Sequence, residues 1–76
     1  MKALIELIAK ELVDSPDEVE VQEVIENGIV KIRLRVAEQD MGKVIGKQGK
    51  IAKAIRTVAK AAATKKNQKV VIEISQ

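Results

Sequence analysis

Two glycines three residues apart, Gly46 and Gly49, enclose Lys47 and Gln48 and form the segment of this chain best suited to binding chemistry. Glycine permits backbone conformations that other residues avoid, and it removes a side chain from the path of a ligand. Amides at the start of a following helix are unpaired and carry the positive end of the helix dipole, which suits a phosphate group. The segment therefore predicts either a phosphate-binding loop or only a tight turn between two helices.

Basic residues surround this loop and continue along the segment that follows it. Between Met41 and Lys69 there is no acidic residue, but there are nine basic ones: Lys43, Lys47, Lys50, Lys53, Arg56, Lys60, Lys65, Lys66 and Lys69. Residues 1–28 have a net charge of −6 and residues 29–76 a net charge of +9. This asymmetry is typical of a polyanion-binding surface, although a solvated lysine-rich surface gives the same pattern. Solubility is the expected role of Lys60, Lys65, Lys66 and Lys69.

The residue types that most enzymes and metal sites use are missing, since the chain has no His, Cys, Trp, Tyr or Phe. General acid–base catalysis usually recruits histidine, and nucleophilic catalysis needs a base beside the nucleophile. We therefore predict no catalytic site, no metal site and no cofactor. A nucleotide-hydrolysing P-loop is also excluded, because Gln48 stands where Ser or Thr would hold magnesium. No apolar run approaches the roughly 20 residues that span a bilayer, so no membrane segment is expected.

Hydrophobic periodicity predicts the elements that position the loop. They are a helix over 2–13, strands over 19–26 and 29–36, a short helix over 40–45, a long helix over 50–63 and a final strand over 70–75. Asn27-Gly28 favours a two-residue hairpin turn, and Asp40 is suited to the N-cap of the short helix. The long helical crossover allows the last strand to pair in parallel. The prediction is an α+β fold of order α-β-β-α-α-β, in which helices cover one face of a three-stranded mixed sheet.

Three details of this fold follow from spacing. The hairpin turn places Arg35 opposite Glu20 and Arg33 opposite Gln22, and it puts Glu23 among the inward positions, where a bulge or a frayed edge would relieve it. The buried stripe of the long helix is predicted at Ile51, Ile55, Val58 and Ala62. On one flank of that helix, Ala52, Ala59 and Ala63 would allow close approach of a backbone, either of RNA or of another chain.

The segment Val44-Ile45-Gly46-Lys47-Gln48-Gly49 resembles the KH family, in which a Val/Ile-Ile-Gly-x-x-Gly loop joins two helices and clamps the backbone of about four nucleotides. The predicted order of elements matches the type II KH arrangement. The resemblance implies a single KH domain over residues 1–76 that binds single-stranded RNA. The residues it assigns to RNA are Lys43, Val44, Ile45, Gly46, Lys47, Gln48, Gly49, Lys50, Lys53 and Arg56.

Bases would lie over an aliphatic groove lined by Val44, Ile45, Ala52 and Ile55, although a core role is favoured for Ile45, Ile51 and Ile55. No aromatic ring is present to stack on a base, so weak and sequence-tolerant binding is expected. Single-stranded DNA stays an alternative ligand, because no residue is identified that would read the 2′-hydroxyl.

The longer segment from Asp40 to Arg56 is similar to the small bacterial KhpA-like (YlqC) family. That resemblance implies a cytoplasmic RNA chaperone or regulator that forms a homodimer, or a heterodimer with a larger KH-containing protein. The alternative is a protein-interaction module that binds RNA only with a partner KH protein, an interpretation favoured by Leu7, which falls off the apolar face of the first helix.

Overall fold

The elements follow the predicted order, with the predicted short and long helices forming the two parts of one interrupted helix, which confirms the α+β class. The computed structural model describes the backbone of residues 1–76 and the side chains of all of them except Lys47. The elements are α1 (Lys2–Leu12), a short 3-10 turn (Pro16–Glu18), β1 (Glu20–Glu26), β2 (Ile29–Arg35), α2 (Glu38–Lys65) and β3 (Lys69–Ser75).

A hairpin of β1 and β2 forms the antiparallel half of the sheet. Asn27 and Gly28 have φ angles of 51° and 76°, as a type I′ turn requires, so this prediction is confirmed. The predicted register is also confirmed, with Arg35 opposite Glu20 and Arg33 opposite Gln22. β3 pairs in parallel with the other side of β2, so the sheet order is β1-β2-β3.

The core lies between the sheet and the helices, with β2 at its centre. Val30, Ile32 and Leu34 alternate with charged residues along β2, and all three are at most 2% exposed. α1 contributes Ile5 and Ala9 to this core. Because side chains alternate across a strand, the other face of β2 carries Ile29 at its start and then the three basic residues Lys31, Arg33 and Arg35.

α2 packs on the sheet through its alanines, which corrects the predicted stripe. Ala52, Ala59 and Ala63 are at most 2% exposed, and Ile55 lies between them in the core. Ile51, Val58 and Ala62 are only half-buried, so the buried stripe is rotated by one residue from the prediction. This alanine flank is therefore buried in the chain's own core, so it is not free for the backbone of RNA or of another chain.

Glu23 faces inward without a bulge in the ladder, where it pairs with Ile32. Its carboxylate accepts a hydrogen bond from the backbone N–H of Lys2 at 3.2 Å, and the amino group of Met1 lies 3.8 Å from the same oxygen. An acidic group at the start of a helix satisfies a free amide and interacts favourably with the helix dipole. This contact explains how the strand accommodates an inward glutamate.

Candidate nucleic-acid interface

The loop between Gly46 and Gly49 interrupts α2. Gln48 and Gly49 have φ angles of 64° and 66°, which a right-handed helix does not allow. The two residues divide α2 into a first arm, residues 38–47, and a second arm, residues 50–65. The predicted helix–loop–helix is thus present, but the break is limited to Gln48 and Gly49, and Gly46 lies in the last turn of the first arm.

The two glycines of the loop have different structural roles. Gly49 adopts a left-handed conformation that disfavours any residue with a Cβ atom. Gly46 is not left-handed, and a Cβ atom built on it would meet no atom within 4 Å. Within a helix, glycine is about 1 kcal/mol less favourable than alanine. The fold therefore has no need of glycine at Gly46, and the backbone there is open to a ligand.

Gln48 occupies the left-handed region with an exposed side chain. For a residue other than glycine this conformation costs about 1–2 kcal/mol. Strained backbone of this kind is concentrated at functional sites, where the surrounding structure maintains it. Lys47 was also predicted to bind RNA, but its side chain is not among those that the structure describes.

Three predicted RNA-binding residues, Lys50, Lys53 and Arg56, follow the loop along one flank of the second arm. Each is exposed, and none has an acidic partner within 4.0 Å among the side chains that the structure describes. Spacing by three residues keeps successive side chains near the same side of a helix. Together they form a continuous unpaired basic surface beside the loop.

The aliphatic side chains beside the loop differ from the prediction. Val44, Ala52 and Ile55 are 0%, 2% and 1% exposed, so they belong to the core and do not line a groove. Ile45 is 48% exposed, which corrects the core role that was favoured for it. Consecutive residues of a helix point about 100° apart, and Val44 takes the sheet-facing position. Ile45 is the member of this set that offers apolar surface to a ligand.

A groove that the sequence did not predict extends the basic flank towards β3. It encloses about 590 Å³ and is lined in part by Arg56, Lys60 and Lys69, with Val70 and Val71 on the strand side. β3 is an edge strand, because its only partner is β2. Lys60 follows Lys53 by seven residues and lies on the same side of the helix. This spacing is the sequence signal from which Lys60 could have been predicted to belong to the site. It had been assigned to solubility.

Asp40 anchors the first arm, and the prediction that it is an N-cap is wrong. α2 begins two residues earlier, with Ala37 at the N-cap, and the Asp40 side chain is fully buried. Its two carboxylate oxygens accept hydrogen bonds from the backbone N–H groups of Asp14 and Ser15, both at 3.0 Å. The Gln39 side-chain amide also donates to the Ser15 hydroxyl at 2.8 Å. These contacts fix the start of the arm that ends in the loop.

Among the described residues, no three side chains of His, Cys, Asp or Glu lie close enough together to hold a metal ion. In the same part of the chain, no helix combines the length and the apolar composition needed to cross a bilayer.

Comparison with known proteins places this chain in a family. The family model described as KhpA/KhpB, KH domain, matches residues 2–74. The chain belongs to the KhpA/KhpB family of KH domains. No solved structure gives a significant match to the chain.

Curated relatives in this family cover nearly the whole chain. A protein of Clostridium acetobutylicum named RNA-binding protein KhpA is 65% identical over 97% of this chain and 99% of its own length. Proteins of the same name from Clostridium perfringens and Aquifex aeolicus are 62% and 50% identical, each over 97% of this chain and over 99% and 94% of their own lengths. The family membership supports the resemblance that the loop and the element order indicated.

Proposed function

We propose that this chain is a single KH domain, residues 1–76, that binds single-stranded RNA at the loop between the arms of α2. The observation that carries the proposal is the open backbone at Gly46 beside an unpaired basic flank. The RNA backbone approaches Gly46 and Gly49, and phosphates interact with loop amides and with Lys47 and Gln48. The names of the relatives, RNA-binding protein KhpA, support the same ligand.

The bound strand continues from the loop along the second arm. Lys50, Lys53 and Arg56 attract successive phosphates, and this attraction weakens as salt concentration rises. The groove beside β3 then receives bases, with Lys60 and Lys69 at its rim. At the other end of the loop, the exposed Ile45 offers an apolar surface to a base.

Affinity is expected to be modest and tolerant of sequence. Stacking on an aromatic side chain contributes about 1–3 kcal/mol per base in proteins that have one, and this chain has none. No group in the described site is identified as a reader of the 2′-hydroxyl, so single-stranded DNA is expected to bind as well. Weak, general binding suits an RNA chaperone or regulator of the bacterial cytoplasm, which is the cellular role that we propose.

The test is a fluorescence anisotropy titration of labelled single-stranded RNA at two salt concentrations. It compares the wild type with Lys47→Asp/Gln48→Asp and with a control, Lys66→Asp/Asn67→Asp, that makes the same change in charge at the opposite end of the second arm. We expect the loop variant to lose binding while the control retains most of it, with circular dichroism showing that both are folded. Equal binding by the two variants would mean that RNA contacts only a diffuse basic surface.

A second candidate function is favoured by exposed apolar side chains on elements outside the loop. Leu7 on α1 is 60% exposed and Ile25 on β1 is 55% exposed. They suit a chain that pairs with a second copy or with a larger KH protein and binds RNA only in that pair. The family name itself joins KhpA with KhpB. Light scattering of the wild type and of Leu7→Ser tests this candidate: a monomeric wild type that binds RNA alone would contradict it.

A further inference from the structure

One ion pair connects the acidic part of the chain to the basic surface beside the loop. The Lys43 ammonium lies 3.1 Å from a carboxylate oxygen of Asp14. Lys43 is on the first arm, one helical turn before Gly46 and Lys47, so it shares a helix face with these loop residues. Of the basic side chains described between Met41 and Lys69, Lys43 alone has an acidic partner.

Asp14 is held in this place by the backbone. Its own N–H donates to the buried carboxylate of Asp40, and the next N–H, that of Ser15, donates to the other oxygen of the same carboxylate. Asp40 belongs to the same turn of α2 as Lys43, three residues earlier. The buried carboxylate therefore fixes the distance between the Asp14 backbone and the helix turn that carries Lys43.

We propose that Asp14 is an affinity-determining residue whose carboxylate competes with an RNA phosphate for the ammonium of Lys43. The inference rests on the proposed function, because it requires that RNA reaches Lys43. In the free protein the carboxylate holds the ammonium, and binding replaces that contact with one to phosphate. Because the ion pair must be broken first, the free energy gained on binding is smaller than it would be if Lys43 were unpaired. Asp14 therefore weakens RNA binding and lowers the salt dependence of the affinity.

The test measures RNA affinity for two matched variants, Asp14→Asn and Asp17→Asn. Each substitution removes one negative charge from the segment between α1 and β1. Asp14 forms an ion pair with Lys43, whereas Asp17 forms no ion pair with any of the described side chains. We expect Asp14→Asn to tighten binding about 2- to 5-fold at low salt, the range set by an exposed ion pair. Its plot of log affinity against log salt should steepen by up to about 0.7, as for one more phosphate contact. Asp17→Asn should change affinity by less than about 1.5-fold.

The same two substitutions are then repeated in a Lys43→Gln background. If the gain acts through Lys43, Asp14→Asn should now change affinity no more than Asp17→Asn does. Equal gains from the two substitutions in the wild-type background would overturn the inference, since the effect would then be general electrostatics. A gain from Asp14→Asn that persists without Lys43 would overturn it too. If the wild type binds no RNA at all, the proposed function itself fails, which is a separate result.

Discussion

Basic side chains on β2 and on the second arm of α2 are alike in type but differ in their surroundings. On β2, Lys31 lies 3.8 Å from Glu26, Arg33 lies 3.3 Å from Glu73, and Arg35 lies 3.8 Å from Glu20. On the second arm, the three exposed residues Lys50, Lys53 and Arg56 have no such partner among the described side chains. Charge is balanced on the sheet surface and unbalanced on the helix.

Under the proposed function, the availability of basic side chains, more than their number, distinguishes the RNA-binding surface of the helix from the sheet surface. A central strand has neighbours on both sides at a fixed register, and here those neighbours supply glutamates. On the exposed flank of α2 the helix supplies no carboxylate of its own, because the sequence from Met41 to Lys69 contains no acid. Among the described side chains, the acid that pairs with a basic residue of this segment is Asp14, which contacts Lys43.

The largest effect is expected from removing the three unpaired charges of the second arm, compared with removing the three paired charges of β2. Lys50→Gln/Lys53→Gln/Arg56→Gln should weaken RNA binding about 10- to 100-fold at low salt and reduce the slope of log affinity against log salt by about 2. Lys31→Gln/Arg33→Gln/Arg35→Gln, with the same change in net charge, should weaken it no more than about 3-fold. Anisotropy titrations at several salt concentrations measure both, and similar losses from the two variants would break the comparison.

A second prediction concerns the buried carboxylate that holds the start of the first arm against the segment after α1. Asp40→Asn replaces one of the two acceptor oxygens with an amide group that faces a backbone N–H. A hydrogen bond to a charged group is worth about 1.5–3 kcal/mol, so the free energy of unfolding should fall by about 2 kcal/mol. Urea denaturation measures the loss. An unchanged midpoint would mean that the loop after α1 does not depend on this carboxylate.

A smaller effect on the free energy of unfolding should distinguish the two glycines of the loop. Gly49→Ala should lower the free energy of unfolding by about 1 kcal/mol, because alanine disfavours the left-handed backbone. Gly46→Ala should leave it unchanged or raise it by up to about 1 kcal/mol, since alanine favours the helix and its Cβ meets no atom. The same urea experiment decides, and a large loss at Gly46 would show that the fold itself requires this glycine.

The smallest effect concerns an ion pair outside both regions, between Glu6 and Lys10 on α1, where the two charged atoms lie 2.9 Å apart. The hydrogen bond from Lys10 and its charge lower the pKa of Glu6. A carboxyl whose pKa is lowered in the folded state adds stability above its unfolded pKa and loses that contribution as pH falls through the folded value. An NMR titration should show Glu6 below its ordinary pKa, and Lys10→Gln should raise it. No change in that variant would contradict the assignment.

Local patterns in the sequence were sufficient for the hairpin and for the position of the loop. Asn27-Gly28 requires a particular turn, and the turn sets the register that pairs Arg35 with Glu20. The glycines of the loop similarly mark where α2 is interrupted. These features depend on residues that are close together in the chain, so they can be predicted directly from the local sequence.

Features that depend on distant residues were predicted less well. Asp40 looks like an N-cap because capping residues and buried acceptors are the same residue types, and its partners are backbone amides 25 and 26 residues away. The buried stripe of α2 was assigned to its larger side chains, whereas the close approach to the sheet selects Ala52, Ala59 and Ala63. Nothing in local spacing reveals how near the helix lies to the strands.

The measurement that most directly tests the central claim is RNA binding by Gly46→Ala, with Gly42→Ala as its matched control. Both glycines lie within the first arm, neither is left-handed, and at neither would a Cβ atom meet another atom within 4 Å. Both variants should therefore fold at least as stably as the wild type. We predict that Gly46→Ala loses most of its RNA affinity, because the new methyl group occupies the space where the RNA backbone approaches, while Gly42→Ala binds like the wild type. A folded Gly46→Ala that binds RNA as tightly as Gly42→Ala would contradict the account.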